Sequence, residues 1–176
     1  MKAFFRIEVE GRDALPERGP FILAANHVSY FDPPLLGFVM PRRAFFLAKE
    51  ELFKNRLSRS FFKDLGGVPL KRESGDIQAI RTALKILKKD PLVLFPQGEV
   101  GASMDKVNPG VGFLARRSGA PVIAARIERE DRSFNLFKNL FSPEKIRIVF
   151  APVENISTED TNENIAKLVM DKIKNI

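Results

Sequence analysis

The strongest constraint on how this chain folds is a repeated pairing of a short, wholly apolar run with an abrupt polar turn. Phe21-Ile22-Leu23-Ala24-Ala25 gives way to Asn26-His27, and Leu92-Val93-Leu94-Phe95 to Pro96-Gln97-Gly98-Glu99. Apolar runs of this length without alternation fit strands buried on both faces. Between them the spacing becomes helical: Ile77, Ile80, Ala83, Leu84 and Leu87 share one face, with Arg81, Lys85 and Lys88 opposite. Strands alternating with helices predict an α/β architecture.

The same reading runs the length of the chain. Residues 4–10 read as an edge strand and 11–20 as a turn-rich connector. Asp32 before Pro33-Pro34 reads as a helix N-cap. A strand is expected at 43–48, then two short helical stretches over 49–65, stopped by Gly66-Gly67 before a strand at 68–71. Asn108-Pro109 opens a helix to about Arg117, closed by Gly119. Strands follow near 121–127 and 145–150, then a C-terminal helix from about Asp160. Residues 1–176 read as one domain, large enough to bury a core unaided by disulfides or metals.

Composition removes several chemistries. With no cysteine and one histidine, disulfides, thiolate zinc sites, cysteine nucleophiles and His-rich metal sites all fall away, and no metal site is expected. The net charge of +7 attracts anions. Sixteen Phe stand against one Tyr and no Trp, whereas base stacking favours mixed aromatics interleaved with Arg. The expected partner is therefore an anionic membrane surface, not nucleic acid. Two segments carry that expectation, Arg42 to Lys63 and Phe134 to Phe141; the competing reading is that these Phe residues pack in the core. Acids interrupt residues 1–10, so no signal peptide is expected, and no run reaches the roughly 18 apolar residues of a spanning helix. Together these predict a cytoplasmic protein, peripheral on the inner face of the cell membrane.

Open α/β sheets place their sites at strand carboxyl ends, where Asn26-His27-Val28-Ser29-Tyr30-Phe31-Asp32, Lys71-Arg72 and Phe95-Pro96-Gln97-Gly98-Glu99 all fall. His27 is the one side chain whose ordinary proton affinity suits transfer near neutrality. Asp32, five residues on, could bond one imidazole nitrogen and leave the other to accept a proton. Taken alone, the pair is better explained as a turn histidine and a helix cap. Ser29, two residues from His27, is suited to bonding backbone and shaping the loop.

Four ordered segments change that balance. Asn26-His27-Val28-Ser29-Tyr30-Phe31-Asp32 resembles the NH-x4-D block of the glycerolphosphate acyltransferase family, which includes lysophosphatidic acid acyltransferases. Gly11 through Ala25 resembles the approach to that block, and Gly66-Gly67-Val68-Pro69-Leu70-Lys71-Arg72 is similar to the second. Phe95-Pro96-Gln97-Gly98 resembles the third, FPEG. Pro109 to Ala115, then Ala120-Pro121-Val122-Ile123, is similar to the fourth.

The resemblance implies a single-domain α/β fold with a mixed central sheet flanked by helices. It implies an O-acyltransferase of phospholipid biosynthesis, with acyl-CoA or acyl-carrier protein as donor and no other cofactor. His27 would be the base and Asp32 its orienter. Arg72 would grip an acceptor phosphate, with Lys71 beside it or merely solvated. Asn26, Ser29, Gln97, Gly98 and Glu99 complete the candidate substrate contacts. Three positions depart from the family's FPEGTR: Gln97 replaces its Glu, Glu99 its Thr and Val100 its Arg. Those changes favour a second acceptor class, a lysophospholipid or glycolipid, over a phosphomonoester. A catalytically silent lipid- or acyl-carrier-binding module is the remaining alternative, and an intact His27/Asp32 pair argues against it.

Overall fold

The computed structural model describes residues 5–70, 75–129, 144–157 and 159–176. Its strands are β1 (Phe5–Glu10), β2 (Ile22–Ala25), β3 (Phe45–Lys49), β4 (Gly67–Leu70), β5 (Leu92–Leu94), β6 (Val122–Arg129) and β7 (Glu144–Pro152). They form one sheet in the order β1-β7-β6-β2-β5-β3-β4. The pairings are parallel except for β6 with β7, so β1 and β7 run against the other five strands. This is the mixed sheet of the expected α/β class, with β1 at the expected edge. Pro69, which cannot donate to a ladder, sits on the other edge strand.

Helices cover both faces: α1 (Asp32–Val39), α2 (Arg56–Asp64), α3 (Gly75–Ile86), α4 (Gly110–Ser118) and α5 (Asn162–Asn175). Strand parity divides the core. Leu23, Ala25, Val93, Ile123, Ala125 and Ile127 face Leu35, Leu36 and Val39 of α1. Ile22, Ala24, Leu92, Val122 and Ala124 face the other way, onto α3, α4 and α5. Burial on both faces is why the central strands read as continuous apolar runs. At 66% exposure Ile77 departs from the expected apolar face of α3, whose inward stripe begins at half-buried Ile80 and buried Ala83.

Helix ends follow local chemistry. Asn108 Oδ1 accepts from Gly110 N–H at 2.8 Å, and the helix begins at Gly110, directly after the Asn108-Pro109 signal. Thr161 caps α5 by accepting from Asn164 N–H at 3.2 Å. At the β1 edge, Arg147 of β7 donates to both oxygens of Glu10, at 2.7 and 2.9 Å, and to Glu128 of β6 at 3.0 Å. The hydrogen bonds from Arg147 hold the Glu10 carboxyl below its usual range. What this exposed pair contributes is therefore present at neutral pH and fades as pH falls through that lowered value.

Candidate active site

The site sits where β2 ends. Asn26 takes over from the ladder: its Oδ1 accepts from Ile127 N–H at 2.7 Å and its Nδ2 donates to Ile127 O at 2.9 Å. The side-chain amide thus replaces a backbone rung, and the chain can leave the sheet without orphaning β6. His27, the next residue, is pinned from the β5 loop on both sides. Its N–H donates to Gln97 Oε1 at 2.6 Å, and its carbonyl accepts from Gly101 N–H at 2.8 Å. The imidazole stacks on Phe95 at 4.0 Å between ring centroids, 19° from parallel.

Asp32 is fully buried, and its Oδ2 gathers three donors. His27 Nδ1 lies at 2.9 Å, Val28 N–H at 2.7 Å and Ser29 N–H at 2.8 Å. With Oδ2 already accepting from two backbone N–H groups, the contact fits the His27 tautomer that donates from Nδ1 and leaves the Nε2 lone pair free. The His27 side chain is 14% exposed, whereas Asp32 beside it is closed off from solvent. The N-cap expectation for Asp32 is corrected here. Asp32 is the first residue of α1, the cap position belongs to Phe31, and no side chain caps the helix. A buried charge needs donors, and the turn before the helix supplies two of them.

The other candidate residues divide by position. The Ser29 hydroxyl accepts from Phe31 N–H at 3.2 Å, shaping the turn. Gln97 is buried, with Nε2 donating to Ala102 O while Oε1 holds His27. Gly98 is left-handed, at φ 78°, with open space where a Cβ would project. Glu99 is exposed and paired with Lys106 at 3.2 Å. Lys71 and Arg72 lie outside the described residues, just past the end of β4, as does the Phe134–Phe141 segment.

Two features were not anticipated. An apolar cavity of about 440 Å³ lies against β5, lined by Leu47, Ile80, Leu94, Val111 and Phe113, and it reaches Phe95. Arg129, the last residue of β6, brings Nη1 to 4.0 Å from Asp32 Oδ1. Its signal was available: extending β6 by two residues puts Arg129 in register with Ile123, Ala125 and Ile127, facing α1.

Comparison with known proteins agrees with this geometry. The acyltransferase family model matches residues 6–128. A 1-acyl-sn-glycerol-3-phosphate acyltransferase of Bacillus subtilis (strain 168) is 29% identical over 134 residues, covering 75% of this chain and 67% of that protein. A lyso-ornithine lipid O-acyltransferase of Pseudomonas aeruginosa is 34% identical over 96 residues, 53% of this chain and 35% of its own length. The crystal structure of PlsC, the 1-acyl-sn-glycerophosphate acyltransferase of Thermotoga maritima, superposes with a TM-score of 0.67 at 27% identity. That match covers 98% of this chain and 73% of PlsC. The chain spans about two thirds or less of the length of the curated relatives it matches. From the extent of the family match, the shared fold and the ordered blocks around His27, the chain belongs to the acyltransferase family, whose members transfer acyl groups.

Proposed function

We propose that the protein moves a fatty acyl group from acyl-CoA or acyl-carrier protein to a hydroxyl of a lysophosphatidic-acid-like lipid, in phospholipid biosynthesis. The observation that carries this reading is the 2.9 Å bond from His27 Nδ1 to a buried Asp32, set within the family match. His27 Nε2 takes the acceptor's hydroxyl proton as its oxygen attacks the thioester carbonyl. The C–S bond then breaks, and the proton passes from the imidazolium to the leaving thiolate. Asp32 holds the tautomer and steadies the imidazolium. Asn26, Ser29 and Gln97 act by holding the loop, since each side chain is engaged with backbone. Arg72 is the proposed phosphate ligand, with Lys71 beside it, and the apolar cavity is the proposed berth for the acyl chain.

A second reading changes only the acceptor. Val100 stands where the family pattern carries arginine, and Lys106, the nearby lysine on that loop, is spent on Glu99. A phosphomonoester thus loses charge-assisted bonds worth about 1.5–3 kcal/mol each. We expect weak use of lysophosphatidic acid and better use of a less-charged lysophospholipid or glycolipid. The measurement is incorporation of label from radiolabelled acyl-CoA across a panel of lyso-lipids, read as kcat/KM for wild type and Val100→Arg. Val100→Arg should raise the relative rate with lysophosphatidic acid. A strong wild-type preference for the phosphomonoester, unmoved by Val100→Arg, would return the acceptor to lysophosphatidic acid. No transfer to any acceptor from either carrier would overturn the function.

Lipid acceptors require an interface, and exposed apolar residues among cations on α2 support one there. In the Arg42–Lys63 segment Phe46 and Phe53 are buried, as the core reading held. Leu57 and Phe61, one turn apart on α2, are 86% and 52% exposed, among exposed Lys54, Arg56, Arg59 and Lys63. Among the described residues no helix is long and apolar enough to cross a membrane. We expect sedimentation with anionic vesicles, weakened by salt as screening shortens to about 8 Å at physiological ionic strength. The double substitution Leu57→Ser/Phe61→Ser should reduce binding while leaving the melting temperature nearly unchanged. Undiminished binding by the folded double variant would remove α2 from the interface.

A further inference from the structure

We propose that Arg129 is a positioning residue for the His27–Asp32 pair. It acts as a buried cation behind the carboxylate, keeping Asp32 ionised and loosening the pair's hold on a proton. The proposal rests on His27 as the base. Asp32 Oδ2 is occupied by three donors, whereas Oδ1 receives no hydrogen bond among the described residues. Oδ1 is the oxygen that faces Arg129 Nη1, at 4.0 Å. The two side chains are 1% and 0% exposed, so solvent and salt screen their attraction little. At that separation the coupling is Coulombic, and a guanidinium remains charged throughout the working pH range. The family match ends at residue 128, immediately before Arg129.

Other described charged groups near this end of the sheet have partners or lie in solvent: Lys145 of β7 pairs with Glu8 of β1 at 3.3 Å, and Arg6 and Lys49 are exposed. Arg126 and Glu128 alternate onto the opposite face of β6, where they pair at 3.0 Å, and Arg147 from β7 also bonds Glu128. Glu99 and Lys106 pair in solvent, and Tyr30 is exposed. The direction of the effect follows from charge. With its proton, the His27–Asp32 pair is neutral overall; without it, the pair carries one negative charge, which Arg129 balances. Removing Arg129 penalises the deprotonated pair, so protonation persists to higher pH.

His27 is the only histidine, so its imidazole NMR signals are identified without assignment. The experiment titrates the full chain as wild type, Arg129→Gln and Arg129→Lys, alongside the pH profile of kcat/KM. In Arg129→Gln the imidazole midpoint and the acid limb of the profile should both rise, by about one pH unit or more. Arg129→Lys, which keeps the charge, should move much less. A purely structural role would lower activity at every pH and leave both midpoints in place. Superimposable titrations of wild type and Arg129→Gln overturn the proposal, as does an equal displacement in Arg129→Lys. Should Arg129→Gln fail to fold, Asp32→Asn/Arg129→Gln should regain stability because the uncompensated charge is gone. A double variant no more stable than Arg129→Gln overturns the proposal equally. Full activity in His27→Ala would defeat the base assignment while leaving the imidazole titration of Arg129→Gln to stand or fall separately.

Discussion

Replacing His27 by alanine is expected to lower acyl transfer by about 10²–10⁴-fold, the usual contribution of a positioned general base. The fold should survive, because the bonds that pin this residue are made by its backbone to Gln97 and Gly101. Asp32 would lose one donor and keep the N–H groups of Val28 and Ser29. Asp32→Asn should be severely impaired for a different reason. An amide can still accept from those two N–H groups, but it carries no charge to steady the imidazolium and does not impose the Nδ1–H tautomer. The check is kcat with the preferred acceptor, with thermal melts confirming that each variant is folded. Near wild-type turnover by folded His27→Ala would eliminate the mechanism.

How much of this was legible depended on whether the cause was local. The wholly apolar runs at 22–25 and 92–94 announced strands buried on both faces, and the polar residues after them lie together at the edge that holds the candidate site. Helix boundaries moved by one to three residues because side chains near the ends decide them, as Asn108 and Thr161 do. Asp-Pro-Pro is a local signal for a cap, whereas Asp32 is the first residue of the helix and bonds His27. Its burial beside Arg129, which lies on a strand ninety-seven residues later, was not visible locally. Gln97 shows the same limit. A glutamine in a turn after a strand gives no local sign that its amide bridges His27 and Ala102. The Phe-rich basic stretch held two kinds of residue that composition cannot separate. Phe46 and Phe53 are buried, while Leu57 and Phe61 point outward on α2.

Gly66 is more than a helix stop opening the second block, and its backbone role yields the other large expected effect. Its φ is 89°, and a Cβ built there would lie 2.0 Å from the carbonyl oxygen of Ala44. That oxygen belongs to backbone and cannot swing away, unlike the end of a flexible side chain. The Gly66 carbonyl also accepts from Phe46 N–H at 3.1 Å, opening the rungs that join β3 to β4. Gly66→Ala must therefore move the strand that leads to Lys71-Arg72, or distort the turn. Left-handed backbone with a side chain costs about 1–2 kcal/mol, and the steric conflict adds about 1–3 kcal/mol. A loss of roughly 2–5 kcal/mol is a large share of a typical domain stability of about 5–15 kcal/mol. Gly98→Ala is the internal control. Its φ is 78°, but its Cβ would meet nothing within 4 Å, so only the conformational cost applies. At about 2–4 °C per kcal/mol for a chain of this size, Gly66→Ala should melt well below Gly98→Ala. Equal melting temperatures would mean that the approach to Ala44 relaxes without cost, and that Gly66 serves the turn alone.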